Sequence, residues 1–171
     1  MVGIPGQSRE DLTDDLLCIQ ALELDMVAVG PFIPHPQTPL GAAGSASDHP
    51  DQVPNDPVTT CKVLALARLL APLANIPSTT ALATIGGTSA RELGLRCGAN
   101  VLMPSLTPAR YRSSYEIYPD RASFGTSGGL SRAELENRIQ SLGRRPGVGR
   151  GDSPNYHRRP RGQTCHDVAA G

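Results

Sequence analysis

Apolar residues along this chain come in two rhythms that alternate. Short, nearly continuous apolar runs suit strands buried on both faces, and longer stretches with apolar residues every three or four positions suit amphipathic helices. The first run, Val2-Gly3-Ile4, ends at a Pro5-Gly6 turn. Ser8 then stands three residues before Asp11 in a capping-box pattern, with Glu10, Asp11 and Asp14 favouring the positive end of a helix. Leu12, Leu16 and Ile19 fall on one face of that helix, and Leu17 and Leu22 widen the stripe. A second strand is predicted at Leu24–Val29. Residues 31–57 read as loop from their proline, glycine, serine and asparagine; the first six look functional and Gly41–Gln52 look disordered.

Asp56 as cap and Pro57 in the first turn open a helix over Val58–Leu70. A third strand is expected near Asn75–Ser78. Ser89 and Glu92 form a second capping box that starts a short helix through about Arg96, and Gly98-Ala99-Asn100 turns into a fourth strand at Val101–Met103. Thr107-Pro108 starts a helix reaching about Ile117. Ser131 and Glu134 cap a last amphipathic helix that stops at Gly143, and no structure is assigned beyond it.

Strand starts near residues 1, 25, 75 and 100 have the spacing of βα units, which implies parallel strands joined by right-handed crossovers. The fold class expected is therefore α/β, the C-terminal half of a (β/α)8 barrel built from about four βα units. Residues 1–120 form that partial barrel, 121–143 a helical extension, and 144–171 a basic tail expected to be disordered. Nothing in the pattern closes the sheet, so both edge strands are expected to be exposed, as if N-terminal residues were missing.

Charge changes this picture in detail only. The chain has 171 residues, with 16 basic and 16 acidic side chains, so its overall balance gives no reason to expect a nucleic-acid partner. Locally the balance is uneven: Glu10, Asp11, Asp14, Asp15, Glu23 and Asp25 face only Arg9 at the start, whereas Arg144, Arg145, Arg150, Arg158, Arg159 and Arg161 face only Asp152 near the end. No apolar run approaches the ~20 residues of a membrane span. Met1 leads directly into the first strand without a signal-like segment, so a cytoplasmic protein is expected. Cys18, Cys61, Cys97 and Cys165 lie far apart and read as buried or idle thiols.

In parallel α/β barrels, chemistry collects at the C-terminal ends of the strands. Four places qualify: the Gly3-Ile4-Pro5-Gly6-Gln7 turn, Asp25-Met26-Val27 with Pro31–Pro36, the Thr79-Thr80 pair, and Met103-Pro104-Ser105. Glycine turns are common, Met26 at such a position is more often core than ligand contact, and His35 has no partner carboxylate in sight. None of these is an acid–base pair, a nucleophile triad or a phosphate loop.

Met1–Gln7, Asp25–Pro39, Asn75–Ala81, Arg91–Pro104 and Tyr111–Pro119 together resemble the C-terminal half of the radical SAM enzymes of [FeFe]-hydrogenase maturation, the HydE family, relatives of biotin synthase and methylornithine synthase. Gly30-Pro31-Phe32-Ile33-Pro34-His35-Pro36 is the most specific run. The resemblance implies a 4Fe-4S cluster on a CxxxCxxC motif that cleaves S-adenosylmethionine to a 5′-deoxyadenosyl radical, which acts on a small iron–cysteine complex. It places Met26, Thr79, Thr80, Met103, Tyr115 and Tyr118 around the substrate, and Gly3, Pro5, Gly6, Phe32 and Ile33 near the S-adenosylmethionine end. Other hydrogenase maturases are the partners it suggests.

This chain departs from that pattern. It has no CxxxCxxC motif, so a cluster would have no protein ligands here, and Ser105 stands where relatives often have asparagine. The isolated chain is therefore expected to be catalytically inactive. Alternatives are a piece of a methylornithine-synthase or biotin-synthase-like enzyme, or a non-catalytic binding or assembly module.

Overall fold

The fold is given by a computed structural model that describes residues 1–42, 49–104, 107–108, 110–111 and 132–160. Extended chain near residues 1–4, 25–32, 75–78 and 100–102 lies side by side in sequence order. Parallel bridges join Val2 to Pro31, Met26 to Asn75, Val29 to Ser78 and Pro77 to Val101. The backbone bonds are short: Val2 N–H to Gly30 C=O at 2.9 Å, Phe32 N–H to Val2 C=O at 2.8 Å, Val27 N–H to Asn75 C=O at 2.9 Å and Ser78 N–H to Val101 C=O at 3.0 Å.

These are isolated bridges. Among the described residues no segment carries the continuous ladder of a regular strand, so the four expected βα units are not confirmed, and the segments meet through single bridges only. The chemistry of the segments accounts for the interruptions. Pro31 and Pro77 sit at bridge positions and have no N–H to give. The Ile76 N–H donates instead to the Asn100 side-chain oxygen at 2.7 Å.

Helices cover one face of these segments. The capping box expected at Ser8 is present, and helix α1 spans Arg9–Ala21. Asp56 caps α3, Pro57–Leu70, by accepting from the Val58 and Thr59 N–H groups. Helix α1 packs on α3, and α3 on α4, Thr80–Arg96. The shared core joins Val2, Val27, Val29 and Ile76 to Leu16 of α1, to Val63, Leu64 and Ala67 of α3, and to Leu95 and Ala99. On the opposite face Met26 and Ala28 are exposed. Leu17, expected to widen the apolar stripe of α1, points to solvent at 52% exposure.

Three further expectations change. Helix α4 begins well before Ser89: Thr79 is its cap, and the helix breaks internally at Gly87, whose φ of 72° and ψ of −176° suit glycine alone. The start-like signal at Ser89 lies in the half of the helix that follows this break. At the start of the segment read as disordered, Gly41–Gln52, Gly41 and Ala42 belong to one helical turn, α2, Pro39–Ala42. Gln52 is fixed by hydrogen bonds to the Gly6 N–H and the Ile4 carbonyl; residues 43–48 lie outside the described residues.

The chain is also ordered past Gly143. Helix α5, Arg132–Ser141, ends where expected, at Gly143 with φ 72°. Arg138 pairs with Glu92 of α4, and Leu142 packs on the core. Residues 144–160 then return to the start of the second segment. Ser153, buried, donates to Asp25 at 2.7 Å and caps the short α6, Pro154–Arg158. Asn155 donates to the Leu24 carbonyl at 2.9 Å, and Arg159 binds both Asp25 and the Glu23 carbonyl. Basic composition alone suggested a solvated tail, but one of the unbalanced carboxylates of the first thirty residues, Asp25, and the carbonyls of Glu23 and Leu24 supply partners for residues 153–159. Most of the helix expected after Thr107, and all of 161–171, lie outside the described residues. No helix among them is long and apolar enough to cross a membrane.

Candidate functional site

The parallel register sets which candidate residues share an end of the fold. Val2 pairs with Pro31, Val29 with Ser78, and Pro77 with Val101. The Gly3–Gly6 turn, Phe32-Ile33, Thr79-Thr80 and Met103 all follow these pairs, so they gather at the C-terminal ends of the segments. Gly30 and Thr79 are close enough that a Cβ on Gly30 would stand 2.9 Å from the Thr79 hydroxyl. Met26 pairs with Asn75, three residues before Val29, which sets it about 10 Å deeper along the same segment. Tyr115 and Tyr118 lie outside the described residues.

The two threonines play different parts. Thr79 accepts from the Leu82 N–H at 3.3 Å as the cap of α4. Thr80 receives a bond from the Arg91 guanidinium at 3.1 Å. Arg91 is 95% removed from solvent and its carbonyl takes the Ser78 hydroxyl at 2.7 Å, so the mouth carries a buried cation directly behind Thr80. Met103 is exposed, Phe32 is buried, and Ile33 is half-buried.

The glycine turn is braced from two directions. Gln7 accepts from the Gly3 N–H at 2.7 Å and donates to the Met1 carbonyl at 3.0 Å. Gln52 accepts from the Gly6 N–H at 2.7 Å and donates to the carbonyls of Ile4 and Val53. Asn55 donates to the Phe32 carbonyl at 3.0 Å and packs so near Gly3 that a Cβ there would sit 2.6 Å from its backbone. Gly3 thus makes room for Asn55, whereas no described residue lies within 4 Å of a Cβ on Gly6. Gly6 is the open backbone position of the turn.

Gln52, Asn55 and Arg91 were not among the candidates read from sequence. Gln7 closes the turn that was singled out, though it was given no role there, and the partners of Gln52 in that turn, Gly6 and Ile4, are 46 and 48 residues away and leave no local signal.

Carboxylate and thiol environments follow the same packing. Partial burial pushes Asp25 up, but the Ser153 hydroxyl and the bond and charge of Arg159 outweigh it, leaving the carboxyl below its ordinary value. The Thr59 hydroxyl and N–H hold Asp56 low. The cysteines read as distant are not all apart: Cys97 packs against the small cluster of Cys61, Leu82 and Ala90. Burial, with Cys97 beside it, pushes the Cys61 thiol up to about 11. Among the described residues no group of three or more histidine, cysteine or acidic side chains is placed to hold a metal. A cleft of about 260 Å³ lies elsewhere, between α1 and the first two segments, lined by Met1, Val2, Leu12, Leu16, Ile19 and Val29 among others.

No family model matches the chain. Over 149 residues it is 45% identical to the [FeFe] hydrogenase maturase subunit HydE of Thermotoga maritima, an alignment that takes in 86% of this chain and 39% of that protein. The resemblance carried by the proline-rich run and the paired threonines is borne out, and the chain spans about two-fifths of the length of the relative it matches.

Proposed function

We propose, from the premise that this chain is a homologue of HydE, that it supplies the substrate side of a radical SAM barrel that works in hydrogenase maturation. The 45% identity over 149 residues carries this reading. Four segments in parallel sequence order, with the candidate residues gathered at one end, support it. In this reading Thr79, Thr80 and Met103 line the mouth around a small iron–cysteine substrate, Met26 lies deeper, and Tyr115 and Tyr118 complete the lining. Arg91 behind Thr80 holds positive charge near the bound complex and fixes the Thr80 hydroxyl as an acceptor.

The residues present do not fit a 4Fe-4S cluster. Cys61 is held as the neutral thiol when a ligand must be a thiolate, and no CxxxCxxC exists in the sequence. Cluster chemistry is therefore assigned to polypeptide outside this chain. The portion of an S-adenosylmethionine site that falls here is the turn of Gly3, Pro5 and Gly6 with Phe32 and Ile33. Gly6 offers the open backbone, and Gln7 and Gln52 keep the turn in place.

The test is a chimera in which the matching residues of this chain replace the aligned span of the Thermotoga maritima protein. It would be reconstituted anaerobically with iron and sulfide, and 5′-deoxyadenosine would be quantified. Release of 5′-deoxyadenosine is expected from the chimera and not from this chain alone. A folded, cluster-loaded chimera that does not bind S-adenosylmethionine would overturn the reading.

A further inference from the structure

Among the described residues no extended segment pairs with the outer side of the first one, yet that side is not bare. Val2 turns its own N–H and C=O toward the second segment, giving to the Gly30 carbonyl and taking from the Phe32 N–H. Alternation of an extended backbone therefore directs the Met1 carbonyl and the Gly3 N–H to the opposite side. Those are the two groups a further parallel strand would use: its N–H would reach Met1 and its C=O would reach Gly3. The Gln7 amide fills both roles, its Nε2 donating to Met1 at 3.0 Å and its Oε1 accepting from Gly3 at 2.7 Å. Gln7 is itself buried, at 9% exposure. Unpaired strand edges invite association with other chains.

We infer that Gln7 is an edge guard: its side-chain amide stands in for one residue of a neighbouring parallel strand and closes the edge at Val2 against a second copy of this chain. The expectation of a fully exposed first edge is replaced by an edge covered at this point. The inference rests on the barrel reading only in one respect. In a closed barrel the same two groups belong to a neighbouring strand, so the amide must swing out when that strand arrives.

The experiment uses the full 171-residue chain. Exchange of the Gly3 amide proton, followed by NMR, is expected to be about tenfold or more slower than that of Gly147, whose surroundings are open. Gln7→Ala is expected to release this protection and to convert an 18.0 kDa monomer into dimers and larger species in sedimentation velocity. Gln7→Glu keeps the acceptor and loses the donor, so it should retain part of the Gly3 protection. Gly3 exchange as fast as Gly147 in the unaltered chain overturns the inference without any variant. So does an unaltered chain that is already dimeric, or a folded Gln7→Ala chain that stays monomeric. Failure of the chimera to cleave S-adenosylmethionine leaves the guard standing, so the two readings fail separately.

Discussion

Single side chains carry more of this fold than their positions in the sequence suggest. Gly3 combines a φ of 78° with Asn55 at 2.6 Å from a would-be Cβ, whereas Gly6, at φ 87°, has free space. Gly3→Ala is therefore expected to destabilise the chain by more than Gly6→Ala, which meets only the backbone strain of about 1 kcal/mol. Thermal melts of the two variants check the order. Thiol chemistry gives a second outcome at this scale. Exposed Cys18 should react readily with iodoacetamide at pH 8, while Cys61, with its thiol pushed up to about 11 and buried, should resist until the fold opens. Mass spectrometry of the alkylated peptides reads this directly; rapid labelling of Cys61 in the folded chain would contradict the packing of Cys97 against it.

At the scale of elements, two anchors decide whether the helices and the returning C-terminal segment stay docked. Arg68 of α3 donates to the carbonyls of Gly98, Ala71, Pro72 and Ala74 and to the Asn100 side chain, tying the helix end to two segments. Arg68→Met leaves those acceptors without their donor and should cost roughly 2–3 kcal/mol in urea unfolding. The second anchor is Asp25. Its folded carboxyl titrates below the unfolded value, so its contribution is complete above about pH 4 and is lost as pH falls through the lowered folded value. Residues 151–159 should thus resist proteolysis at neutral pH and become cleavable below about pH 4. Asp25→Asn should make them cleavable at neutral pH.

Helix starts with a local polar signature were legible in the sequence: Ser8 with Asp11, and Asp56 with Pro57, sit where the caps form. The start of α4 was not, because its cap, Thr79, was read as a site residue and the break at Gly87 left a second start signal downstream. The docking of Ser153, Asn155 and Arg159 on Glu23–Asp25 was hidden for a different reason. It joins residues more than 120 apart, and composition reports charge without reporting which charges meet. Of the candidate site, the glycine turn with Gln7, Phe32-Ile33 and the threonine pair could be read from short motifs, while Gln52 and Asn55, which fix the turn from a distance, could not.

For the molecule as a whole, the arrangement is one-sided. Helices cover one face of four parallel segments, and the face that bears Met26 and Ala28 is left exposed. In the proposed barrel that face is the interior, and the polypeptide that would close it also brings the cluster. In this proposal the substrate lining comes from this chain and the radical source does not, so the central claim is about which substrate the lining accepts. The most direct measurement is in vitro maturation of an [FeFe] hydrogenase with the chimera as the sole HydE component, read as hydrogen evolution. The account predicts that hydrogenase activity is restored. A chimera that folds and cleaves S-adenosylmethionine yet leaves the hydrogenase inactive would contradict it, and would assign this lining to a different radical SAM substrate.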